Sequence, residues 1–175
     1  MHGGCEAMAK ASEKRPASES EELRRQLVAL LEGGQAHATF ADAVKDFPEE
    51  LRGVAPDGLP YSAWQILEHI RIAQKDILDF SAPPTGGYQE KEWPAAYWPK
   101  EKEPGAGEWE HSVKTVEAEL ETFKRLITKP GADLAKPFQW GTGQNLMREA
   151  LLIADHTAYH VGELVVVRRL LGCWR

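Results

Sequence analysis

At 175 residues the chain is long enough for one sizeable hydrophobic core and short for two, so a single domain is expected. Its charged fraction of 27% and hydrophobic fraction of 42% suit a globular protein rather than a fibre or a disordered chain. A net charge of -6 argues against nucleic-acid binding through phosphate neutralisation, which needs clustered Lys and Arg; Arg24–Arg25 and Arg168–Arg169 are only short pairs.

Residues 1–20 begin MHGGCEAMAK, contain no apolar signal-peptide run and read as a flexible leader, leaving 21–175 as the domain. Cys5 and Cys173 stand near opposite ends and do not make a disulfide framework, so a cytoplasmic location is expected. No membrane is expected either: the strongest apolar run, LVVVRRLL, is interrupted by two arginines and falls short of the roughly 18 residues a span needs.

From Glu21, the residues Leu23, Leu27, Leu30, Leu31, Ala38, Ala41 and Val44 recur at helical spacing, and Pro48 closes the pattern. They predict a first helix, kinked at Gly33–Gly34. After the turn-rich GVAPDGLPY, Ser62 and Gln65 form a capping box for a second helix from about Ala63 to Phe80, with Trp64, Leu67, Ile70, Ile77 and Leu78 facing the core. Residues 82–107 hold five prolines and several glycines and predict a long irregular crossover. Extended, it could span on the order of 80 Å, ample to return along a helix of roughly 30 Å. The second and third helices can therefore run parallel. The crossover's aromatic residues, Tyr88, Trp93, Tyr97 and Trp98, are expected to pack it onto the helices.

Val113, Val116, Leu120, Phe123 and Ile127 mark a third helix over about Glu108–Thr128, ended by Pro130–Gly131. Asn145 can cap a fourth, which continues to about Leu171 before Gly172. With no strand pattern, the fold class is all-α: a four-helix bundle with a long crossover between helices two and three. Such bundles build metal and cofactor sites from inward-facing side chains.

The fourth helix carries DHTAYHVGEL. His156 and His160 are one turn apart on a stripe with Glu149, Leu152, Glu163 and Val167, so both imidazoles can face one ion. Two ligands are too few for a firm site, and His69 on the second helix is the candidate third. The competing reading makes all three satisfied core histidines. Against it, burial disfavours protonated imidazole and every neutral ring needs a partner, which a divalent cation supplies.

The zinc-protease pattern HExxH is excluded because Thr157 follows His156, and the paired Glu-x-x-His motifs of di-iron bundles are missing before His69, His156 and His160. Glu108 and His111 match that spacing once, at the start of the third helix, where they read as an exposed capping region. His37 reads as an ordinary helix residue and His2 as part of the leader.

The segments LPYSAWQILEHIRIAQKDIL and REALLIADHTAYHVGELVVVRRLLGCW resemble the DinB-like superfamily of metal-binding four-helix bundles, which includes thiol-dependent S-transferases and isomerases. The resemblance covers about Glu21–Trp174 and implies His69, His156 and His160 as a complete triad for one divalent transition metal. It further implies homodimers and thiol transfer to a small-molecule substrate, with a low-molecular-weight thiol as partner. Imidazole ligands suit zinc, nickel, iron and copper alike; nickel and zinc rank first, with iron and manganese as further candidates.

Glu163 is a candidate to orient a ligand histidine or a bound water, and Tyr159 is a weaker candidate beside it. Arg71, Lys75 and Arg148 are candidates for a basic subsite on helix position alone. The sequence supplies no side-chain nucleophile beside the histidines, so the catalytic residues are unknown. Two readings stand: a metal-dependent thiol transferase or hydrolase, or a non-catalytic metal-binding or stress-response module.

Overall fold

The computed structural model describes residues 18–174, leaving most of the expected leader, with His2 and Cys5, outside the described residues. It contains five α-helices and, among the described residues, no strand: α1 (Glu19–Glu32), α2 (Phe40–Val44), α3 (Ala63–Ser81), α4 (Glu108–Thr128) and α5 (Leu146–Leu170).

The first expected helix is two helices. Gly33 and Gly34 sit at φ +70° and +75°, a left-handed backbone that ends α1 rather than kinking it. Thr39 and Asp42 then form a capping box that starts α2 in a new direction. His37 accordingly lies in an exposed linker, with Nδ1 2.8 Å from the Ala38 carbonyl, and is not helical.

The three long helices fall where their caps and periodicity predict. Ser62 and Gln65 cap α3 reciprocally, and the Asn145 side chain accepts from the Arg148 backbone N–H at 2.9 Å. Contacts between helices set their directions. Ser112 on α4 donates to Glu68 on α3, while Gln74 further along α3 donates to the Val116 carbonyl further along α4, so α3 and α4 are parallel. On α1, Arg24 donates to the Ile127 carbonyl and Glu32 pairs with Lys124, so α1 opposes α4. His69 on α3 meets His156 on α5, and Asp76 lies in the field of Glu149, so α3 opposes α5.

The parallel pair depends on the crossover, which retraces α3 from end to start. Tyr88 and Tyr97 bond to Asp76, Trp98 lies on His69, and the Lys102 carbonyl accepts from Ser62 Oγ at 2.6 Å. The chain thereby re-enters at the end of the bundle where α3 began.

Two apolar clusters hold the bundle. One gathers Trp64, Leu67, Ile70, Val161, Leu164 and Val167 with α2; the other gathers Leu27, Ile77, Phe123, Ile127, Ala150 and Ile153. Each fully buried Leu, Ile or Phe stabilises by roughly 1.5–3 kcal/mol. On α5 the clusters occupy residues 150–153 and 161–167, and His156 and His160 fill the turns between them.

By length and composition α5 can cross a membrane, with mean hydropathy 1.2 over its most apolar 18-residue window, contrary to the expectation that no segment would. In the bundle α5 packs against α1, α2, α3 and α4, with 33% of that window buried. Buried Arg168 donates to the carbonyls of Ala43 and Lys45, which fastens α2 to the end of α5.

Candidate metal centre

The antiparallel packing of α3 on α5 brings His69, His156 and His160 together. One ring nitrogen from each lies within 4.8 Å of the others. His69 and His160 are buried, at 3% and 6% exposure, and His156 is half-buried. The His69 and His156 Nε2 atoms stand 3.1 Å apart. Two nitrogens bound to one ion at about 2.05 Å are separated by about 2.9 Å at a right angle and about 3.3 Å at a tetrahedral angle, so the observed spacing suits a shared cation.

Neighbouring acceptors assign the tautomers. His69 Nδ1 donates to the Tyr97 carbonyl at 2.8 Å, and His160 Nδ1 donates to Glu163 Oε2 at 2.6 Å. Each ring, when neutral, is left with an unprotonated Nε2 as its free donor atom. Such orientation of the outer nitrogen by a carbonyl or carboxylate is the usual support for metal-ligating histidine.

His156 and His160 stay neutral well below pH 7. Burial, together with the neighbouring His160 and His69, lowers His156 to about 4; burial and His69 lower His160 to about 4. Burial also lowers His69, partly opposed by its bond to Tyr97. The His160–Glu163 contact is therefore a neutral N–H bonded to a carboxyl group at neutral pH, not an ion pair.

The crossover builds one wall. Trp98 lies flat on His69, with centroids 4.0 Å apart and planes at 2°, and its other face stacks on Tyr61 at 3.9 Å. Both faces of the indole are thus occupied by protein. Tyr159 stands edge-on to His160 at 4.9 Å but is 66% exposed. Of the candidate basic residues, Arg71 pairs with Glu68, Lys75 with Asp79 and Arg148 with Glu149.

An apolar cavity of about 420 Å³ lies on another face of α5, lined by Leu30, Phe40, Val116, Leu120, Ile153 and Val161, with His37 at its edge; the three clustered histidines do not line it.

Sequence reasoning did not assign Tyr61, Tyr97 and Trp98 to the histidines, nor single out Asp76. Tyr97 acts through its backbone carbonyl, which no residue-type pattern signals. Trp98 reaches His69 from 29 residues away in the chain, and Tyr61 backs the indole from its other face.

Fold and site define a class: an all-helical bundle whose antiparallel core helices α3 and α5 bring three histidines together. The family profile of the DinB superfamily matches residues 21–164. The chain belongs to that superfamily. Comparison with curated proteins and with solved structures found no match.

Proposed function

We propose that the protein binds one divalent transition metal ion, nickel or zinc before iron or manganese, through His69, His156 and His160. We further propose that it acts as a metal-dependent transferase or hydrolase on a small molecule in the cytoplasm. The observation that carries this reading is the convergence of two oriented Nε2 atoms and a third imidazole in a site whose neutral charge state is enforced by burial. A divalent ion held there would supply Lewis acidity, lowering the pKa of a water or thiol brought against it.

The chain's own residues would do the rest. Tyr97 and Glu163 hold the outer nitrogens of His69 and His160, so these ligands are oriented before any ion arrives. Burial keeps protons off the rings, and Trp98 shields one face of His69 from solvent. Because Arg71, Lys75 and Arg148 are matched by carboxylates, a neutral thiol or water suits the site better than a strongly acidic thiol.

One observation favours the non-catalytic reading: the carboxyl group nearest the histidines, Glu163, is already bonded to His160 and does not stand as a free base.

Homodimerisation through α5 is proposed from Leu151, Tyr159, Val166 and Leu170. These are exposed within a roughly 100° arc of the helix.

Metal analysis of protein purified without chelator, beside His156→Ala, tests the site. About one equivalent of transition metal, lost in the variant, is expected. A thiol screen with electrophilic and ester substrates then separates transferase from hydrolase and from neither. Absence of metal after reconstitution with nickel, zinc, iron and manganese would remove the basis of the proposal.

A further inference from the structure

Asp76 lies two turns beyond His69 on α3 and is 8% exposed. Its hydrogen-bond partners are two phenols from the crossover: Tyr97 Oη donates to Oδ2 at 2.6 Å, and Tyr88 Oη donates at 3.2 Å to both oxygens. Burying a carboxylate is costly unless its acceptors are filled, and an apolar pair would join strap to helix at less cost. The arrangement therefore calls for a reason beyond adhesion.

Tyr97 supplies one. Its side chain is bound to Asp76 while its backbone carbonyl accepts from His69 Nδ1 at 2.8 Å. Its successor, Trp98, is the residue stacked on the His69 ring. One residue is thus held at its side chain and presents its main chain to a ring two helical turns away. The proline- and glycine-rich crossover has no regular ladder to fix that carbonyl. A charged acceptor with defined geometry positions it as a general apolar contact does not.

We propose that Asp76 is a positioning residue for the three-histidine site, clamping Tyr97 so that its carbonyl and the adjacent Trp98 set the tautomer and plane of His69. The inference rests on the reading of those histidines as a metal site. By linkage, an ion that prefers the clamped state also favours docking of the strap, so metal binding should protect residues 88–98 from exchange.

The test titrates zinc against a chromophoric chelator for wild type, Asp76→Asn, Tyr97→Phe and the double variant. Each single change should weaken zinc binding about 10–100-fold. The double variant should be no weaker than the weaker single, because both cut one path. In metal-free wild type the His69 Nδ1–H proton should exchange slowly by NMR, and in both variants fast. A general loss of stability would instead speed exchange throughout the bundle.

Tyr97→Phe removes one oxygen and leaves the carbonyl, so it carries the test alone if Asp76→Asn does not fold. Unchanged affinity in the variants, with wild type binding one equivalent, overturns the clamp and leaves the metal site standing. Wild type that binds neither zinc nor, in the same titration, nickel, iron or manganese overturns both.

Discussion

Lowering the pH of metal-free protein should unfold it through its buried histidines. Burial lowers His156 and His160 to about 4 in the fold, against about 6.5 for a free imidazole. Between those values the unfolded chain holds more protons, so stability rises with pH; it is present above about 6.5 and lost as pH falls through 4. Moving one ring from 6.5 to about 4 corresponds to about 3.4 kcal/mol. Both sites retain solvent contact and share one field, so roughly half of the two-ring sum, about 3 kcal/mol for the pair, is the expected loss. Burial raises the carboxyls of Glu119 and Glu149, which contribute with the opposite sign, so the comparison must be between variants. Urea unfolding with chelator present, from pH 7 to 4, should show a steeper loss for wild type than for His156→Gln. Equal slopes would refute the assignment of buried neutral rings.

The same charge state predicts that zinc affinity is nearly flat between pH 7 and 8, since all three rings are lowered from the ordinary imidazole range and no ring proton need leave; chelator competition giving a tenfold loss per pH unit across that range would contradict it. Glu163→Ala frees the outer nitrogen of His160 and should weaken zinc about tenfold or more, read in the same assay. Gly33→Ala introduces a Cβ with nothing within 4 Å, so its cost is backbone alone at φ +70°, ψ −157°. That cost is about 2 kcal/mol, visible as a thermal midpoint lower by ~6 °C. Val166→Asp should convert dimer to monomer in sedimentation velocity; a wild-type monomer would dispose of the α5 interface.

Local chemistry made the long helices legible. Ser62–Gln65 and Asn145 act within three residues, and the apolar spacings of α3, α4 and α5 declare their buried faces without reference to any distant segment. The same kind of local signal, Thr39 with Asp42, marks the start of α2, but the continuing apolar repeat across Gly33–Gly34 masked it. Pairing of His156 with His160 follows from one helical turn.

What joins His69 to them is the antiparallel packing of α3 on α5, and what orients it is a carbonyl and an indole from the crossover. Neither is written in residue type at fixed spacing, because a loop residue's position depends on what it docks against. The sequence by itself therefore determined helices, caps and candidate ligands, whose causes lie within a few residues. Only the tertiary structure decided the strap's path, the tautomers and the pairing of the candidate cations with carboxylates, since these depend on groups brought together across distant chain segments.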